Sequence, residues 1–276
     1  MSGERGIRVL YALGAAAMTV FLLLPVVYMA IVAASGRPDV LAARAEIRLT
    51  GAQFLAVIGT RSLHFPEYVA NSIAASGLAA LLAVILAAPA AYAVTRMELP
   101  GRMSFLVLAL SVSMFPPVSL ASYLFRMMRA LGWINTLPAL VLPYAAWVLP
   151  LTLWILAGYF SRIPKELDRA ALLDGCGRLA ALRKVMVPVA APGIVSAGIL
   201  AFIYAFNEFL FALLLTTDSN SRTIPVGIAL FEGLHGEIPW GTIMAAATLS
   251  VVPVVLLAMA FQRRIVAGLT GGAVRE

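Results

Sequence analysis

Six long apolar runs organise the chain, at residues 9–34, 68–94, 105–124, 134–159, 192–215 and 242–261, each bounded by charged or Gly/Pro-containing segments. None alternates with the period of a half-buried strand, and each reaches the roughly 20 apolar residues that a helix needs to cross a bilayer. The pattern predicts an all-α polytopic membrane protein with six transmembrane helices. The first run follows Arg5 and Arg8 as a leader's apolar body would, but it is too long for one and no small-residue exit precedes a polar body, so it is read as a span. Pro89, Pro116-Pro117, Pro143, Pro150 and Pro253 fall inside runs and predict bends. In the second run Ala75, Ala79, Ala83, Ala87 and Ala91 recur every four residues, a small-residue stripe that lets another helix approach closely.

Two connections are longer than neighbouring spans require. Residues 35–67 alternate polar and apolar positions and read as a small extracytoplasmic cap. Residues 161–191 carry helical spacing. Pro164 suits a first helical position, with Glu166 and Asp168 at the positive end of the helix dipole. Leu167, Ala170 and Ala171 then share a face, Gly175 and Gly177 break the helix, and a second helix from about Arg178 to Val187 puts Leu179, Leu182 and Met186 on one side before Pro188 and Pro192. Such a pair is either a compact knob for a protein partner or an interfacial element lying on headgroups, and spacing alone leaves both open.

Charge orients the spans. With the N-terminus inside, thirteen of the 20 Lys and Arg residues fall on the cytoplasmic side and seven outside, which places both termini in the cytoplasm and the 161–191 loop with them. The net charge of +7 is spread between apolar runs and forms no stripe, which argues against a nucleic-acid partner. Apolar residues make up 62% of the chain and charged residues 12%, leaving no room for a soluble domain of normal size. One cysteine, Cys176, and two histidines, His64 and His235, are too few for a cysteine- or histidine-based metal centre. No phosphate loop, zinc-peptidase pair or serine-hydrolase elbow occurs, so the chain reads as a non-enzyme that binds no cofactor itself. Within the fifth run, Glu208 is costly in lipid and must face protein or water. With Tyr204 and Asn207 it forms either a polar strip near a translocation path or one half of an ion pair with Arg126 or Arg129. Trp133 and Trp240, near span ends, suit an interfacial belt, and Trp147 and Trp154, seven apart, suit packing.

The stretch Glu166-Leu167-Asp168-Arg169-Ala170-Ala171-Leu172-Leu173-Asp174-Gly175, followed by Val185-Met186-Val187-Pro188 and Pro192-Gly193, resembles the EAA loop of permease subunits in bacterial binding-protein-dependent ABC importers. Asn71-Ser72, Ala91-Tyr92-Ala93-Val94-Thr95-Arg96 and Asn207-Glu208-Phe209 are similar to the carbohydrate-importer branch, and the ending from Gln262 through Gly268-Leu269-Thr270-Gly271-Gly272 to its maltose-type second permease subunit. The resemblance implies a multi-pass subunit of the bacterial cytoplasmic membrane. Its partners would be a second, different permease, two copies of a cytosolic ATPase that carries the ATP and Mg, and an extracytoplasmic solute-binding protein. It implies ATPase coupling through Glu166, Asp168, Arg169, Ala170, Ala171, Asp174 and Gly175, and an ATPase contact by Gly268, Leu269, Thr270, Gly271 and Gly272 in a C-terminal tail, 262–276. Arg169 stands where the motif has glutamate, which leaves Glu166 or Asp168 to supply any carboxylate contact. The cargo implied is a sugar or oligosaccharide; a polyol, a glycerol phosphate, and a self-contained carrier or membrane scaffold stay open at this point.

Overall fold

The computed structural model describes residues 2–35, 50–60, 63–97, 100–231 and 239–270, with side chains at all of these except 2–5 and 263–270. The regular elements among the described residues are helical: α1 (Ser2–Ala34), α2 (Ala52–Gly59), α3 (Phe65–Arg96), α4 (Arg102–Ser113), α5 (Ala121–Ala130), α6 (Leu137–Phe160), α7 (Lys165–Leu173), α8 (Arg178–Ala181), α9 (Val187–Val189), α10 (Ala191–Phe206), α11 (Leu210–Leu215), α12 (Ile224–Ala229) and α13 (Trp240–Thr270). A 3-10 turn, Pro117–Leu120, leads into α5, and a π turn, Leu182–Met186, joins α8 to α9.

Four helices are long and apolar enough to cross a membrane: Gly6–Ala34, Phe65–Arg96, Leu137–Phe160 and Trp240–Gln262. Two bent pairs, Arg102–Ser113 with Pro117–Ala130 at 78° and Arg178–Val189 with Ala191–Phe206 at 82°, raise the number to as many as six if each is one span. Three expectations are corrected. The run 105–124 is not one helix, because Pro116 and Pro117 lack amide protons and Pro116 is extended (φ −61, ψ 121), so α4 ends before them. The run 192–215 is divided: α10 stops at Phe206 and α11 restarts at Leu210 without a proline or glycine between. The segment 262–276 does not leave the helix at Phe261, since α13 continues to Thr270 through Ile265, Val266 and Ala267, which are compatible with helix. Pro89, Pro143, Pro150 and Pro253 lie within continuous helices.

The chain divides into two compact units, residues 1–66 with 227–252 and residues 67–226 with 253–276. In the first, the amide of Thr50 donates to Ala34 O (2.7 Å) and the Thr242 hydroxyl to Gln53 Oε1 (3.0 Å). Most of the apolar length of α1 is exposed, as suits a surface for lipid or another chain.

In the second unit α6 is the spine. It is apolar all round, and Leu140, Tyr144, Val148, Leu153, Leu156 and Phe160 are all buried. The stripe Ala75, Ala79, Ala83, Ala87 and Ala91 of α3 is completely buried. Ala75, Ala79 and Ala83 share a cluster with Tyr144, Val148, Ala201, Ala205 and Phe211, whereas Ala87 and Ala91 pack with Leu153, Leu156, Ala157 and Phe160. Where apolar side chains face lipid as readily as each other, close packing of small residues supplies the association. Trp147 meets Phe211 edge-on (6.3 Å, 83°), a packing role for that indole. At the start of α10, Gly193 lies directly against the Tyr159 ring near the end of α6, so close that a Cβ on Gly193 would overlap the ring.

Candidate functional site

The segment that leaves α6 after Phe160 and returns at α10 is pinned at its base. Tyr159 and Gly193 close the two ends against each other. From the end of α3, the Arg96 guanidinium donates to Phe160 O (2.9 Å) and Ile163 O (2.6 Å), putting a cation at the negative end of the α6 dipole and satisfying carbonyls that have no helical partner. One turn earlier on α3, the Tyr92 hydroxyl donates to Asp168 Oδ1 (2.6 Å), and both side chains are buried. A charge-assisted bond away from water is strong, and it fastens α7 to α3.

Beyond this base the segment forms a bent knob. Pro164 (φ −53) precedes α7, with Glu166 and Asp168 in its first turn. At the other end Cys176 N donates to Ala171 O (3.0 Å) and Gly175 N to Leu172 O (3.2 Å), while Gly175 takes φ +83. This is a Schellman stop with glycine at the left-handed position. Of the coupling candidates, Glu166, Arg169, Ala170, Asp174 and Gly175 are exposed, whereas Asp168 and Ala171 are turned into the chain. Asp168 is therefore occupied by Tyr92, and Glu166 is the exposed carboxylate of the first turn. The expected Leu179, Leu182 and Met186 face is divided. Leu182 and Met186, the two ends of the π turn, are buried, while Leu179, in the turn before it, is 67% exposed. Leu173, beside the bend, is 88% exposed, and Leu167 and Leu172 also face outward.

The other candidate group lies where α10 gives way to α11. Glu208 turns back on the chain: Oε1 accepts from Phe211 N (2.8 Å) and Oε2 from Ala212 N (3.2 Å), so its carboxylate caps α11. Tyr144 is buried on α6, and its hydroxyl and that of Thr223 are buried without a hydrogen-bond partner among the described residues. No ion pair joins Glu208 to Arg126 or Arg129 among the described residues. Asn207 ends α10 and donates from Nδ2 to Ile203 O (2.8 Å), and Tyr204 is mostly exposed. The three do not form one strip: Glu208 faces the protein, Tyr204 and Asn207 face out. Replacing Glu208 by alanine strands two amides in a water-poor region, and the expected loss is about 2 kcal/mol. Thermal unfolding of the detergent-purified protein checks this, with Glu208→Gln recovering some of the loss; an unchanged Tm for Glu208→Ala would refute the capping role.

Three residues that sequence reasoning gave no structural role organise the 216–224 segment. Asn71 donates from Nδ2 to Asn220 O (2.6 Å) and Arg222 O (3.0 Å), and the adjacent Ser72 hydroxyl accepts from Ile224 N (2.8 Å). Asn135, at φ +64, accepts through Oδ1 from Thr217 N (2.6 Å) and the Ser221 hydroxyl (3.0 Å). Its local signal is a short turn after Gly132, where asparagine tolerates left-handed backbone. The backbone of Gly268, Leu269 and Thr270 is helical within α13, while their side chains, and Gly271 and Gly272 altogether, lie outside the described residues. Residues 36–49 and 61–62 of the expected 35–67 cap also lie outside the described residues, and the described part holds α2 and the start of α3. Among the described residues no three His, Cys, Asp or Glu side chains gather as metal ligands.

Residues 79–271 match the family described as binding-protein-dependent transport system inner membrane component. The chain is 47% identical over 269 residues to the trehalose/maltose transport system permease protein MalG of Thermococcus litoralis, covering 97% of each. It is 46% identical over 212 residues to the trehalose transport system permease protein SugB of Mycobacterium tuberculosis, covering 76% of this chain and 77% of that one. In fold it superposes with a TM-score of 0.77 on a chain from the crystal structure of a bacterial ABC transporter involved in the import of the acidic polysaccharide alginate, at 19% identity over 95% of this chain and 98% of the other.

Proposed function

The chain belongs to the family of binding-protein-dependent transport system inner membrane components, and from that premise we propose that it is one permease subunit of an ATP-driven sugar importer, forming half of the translocation pathway. The sugar assignment is supported by the trehalose and maltose named for its relatives. Its partners are a second, different permease, two copies of a cytosolic ATPase that bind ATP and Mg, and an extracytoplasmic solute-binding protein. Both termini and the 161–191 loop face the cytoplasm.

The observation that carries the coupling assignment is a rigid base under an unpartnered apolar tip. Leu173 and Leu179 project beside the Gly175 bend, where a partner's groove would cover them, while Arg96 and Tyr92 fix the segment to the spans. A knob seated in the ATPase and stiff at its root transmits closure of the ATPase pair to α3, α6 and α10. Glu166 supplies the carboxylate at the surface, with Arg169 adding a positive charge where the motif has a negative one. The proposed ATPase contact by Gly268, Leu269, Thr270, Gly271 and Gly272 begins on the helical end of α13.

The test is reconstitution. The four-component assembly in proteoliposomes takes up sugar only with ATP inside and loaded binding protein outside; uptake by this chain without an ATPase would overturn the reading. In the same system Tyr92→Phe, which removes one hydroxyl and leaves the buried Asp168 carboxylate unpaired, is expected to lower sugar uptake per ATP hydrolysed about tenfold with subunit association intact. Unchanged uptake per ATP would show that the Tyr92–Asp168 bond does not stiffen the lever.

A further inference from the structure

A cavity of about 500 Å³ opens where the end of α3, the start of α4 and the end of α6 meet. Its lining combines the cations Arg96, Arg102 and Lys165 with the apolar side chains of Met103, Leu106 and Trp154. No carboxylate lines it among the described residues. Arg96 spends one guanidinium nitrogen on two carbonyls, yet its Nε is buried without a hydrogen-bond partner. Arg102 is the first residue of α4, whose N-terminus has no side-chain cap, so helix amides add to the positive field.

We propose that this cavity binds the phosphodiester headgroup of an anionic phospholipid, with the proximal portion of an acyl chain lying along Met103, Leu106 and Trp154. Three cations with no acid among the described residues of the lining suit an anion, and basic pockets between span ends on the cytoplasmic side are where such headgroups bind. The apolar lining selects the source: a free phosphate ion gains nothing from an indole and two aliphatic side chains, whereas a lipid covers all three. The depth is also right. Trp154 lies six residues before the end of α6, about 9 Å along the axis, which is the level where glycerol gives way to acyl chain when Arg96 and Lys165 are at the headgroups. Since Lys165 opens α7, the lipid would touch the root of the coupling knob.

The site rests on the proposed cytoplasmic orientation, but its test reads lipid binding by the full chain and not transport, so failure of one is distinguishable from failure of the other. With Trp133, Trp147 and Trp240 replaced by phenylalanine, Trp154 reports alone. In phosphatidylcholine vesicles doped with phosphatidylglycerol brominated on the acyl carbons nearest the glycerol, its fluorescence is expected to be quenched at far lower lipid fraction than by brominated phosphatidylcholine. Losing two cations weakens such a headgroup contact about 30-fold, so Arg102→Gln with Lys165→Gln should abolish the preference, whereas Arg102→Lys with Lys165→Arg should keep it. Equal quenching by the two lipids overturns the proposal, as does a preference that survives the glutamines or is lost in the charge-conserving pair. Relief of quenching by millimolar inorganic phosphate would make this a soluble-anion site and overturn the lipid assignment.

Discussion

Replacing Gly193 by alanine is expected to cost about 1–3 kcal/mol, and replacing it by valine to remove most of the folded subunit from the membrane. The added Cβ would occupy the space of the Tyr159 ring, which is held between the end of α6 and the start of α10. A tightly packed crossing has few ways to give: either the ring leaves a packed position or the two helices separate, carrying the base of the 161–190 segment with them. The measurement is the thermal stability of the detergent-solubilised subunit together with its yield in membranes. The control is Tyr159→Ala combined with Gly193→Ala, in which the clash disappears and much of the loss should return. Gly193→Ala at wild-type stability, or a double variant no better than the single one, would mean that this approach does not limit the fold.

Gly175→Val is expected to abolish sugar uptake by the assembled importer while leaving the spans in place. At φ +83 a side chain meets its own backbone at a cost of about 1–2 kcal/mol, and β-branching adds to it. Nothing else lies within 4 Å of a Cβ there, so the penalty is local and tilts only the exposed tip with Leu173 and Leu179. Uptake and ATPase activity measured on one preparation separate uncoupling from failed assembly. Gly175→Asn, which tolerates the left-handed region, should retain most uptake. Wild-type uptake by the valine variant would remove the bend from the coupling mechanism.

What the sequence discloses depends on how local the cause is. Runs around α1, α3, α6 and α13 follow from hydropathy alone, and the alanine stripe from spacing; both are found in the structure. Gly175 is legible because a helix stop needs only its own neighbours. The division of the fifth run is not: residues 206–210 hold no proline or glycine, and the break is stabilised by a carboxylate accepting from amides three and four residues ahead. As an acid in an apolar run, Glu208 suggests a polar strip near a path or an ion pair with Arg126 or Arg129, and its capping of the helix that follows is visible only in the structure. Asp168 misleads in a similar way. Its position in the motif suggests an outward contact, and only the approach of α3, 76 residues earlier, turns it inward to Tyr92. The continuation of α13 past Phe261 is masked by glycines and arginines, which suggest a tail although an unbroken helix-compatible stretch lies between them.

The π turn at Leu182–Met186 means that the return arm of the loop contains one residue more than an α-helix over the same path requires. Each residue of an α-helix advances about 100° around the axis. Leu182 and Met186 are bound to the chain's own interior, and Leu179, upstream of the extra residue, belongs to whatever lies outside. A single-codon deletion in this turn would therefore rotate Met186 against Leu182 by about a quarter circle and undo the pairing of the two buried side chains.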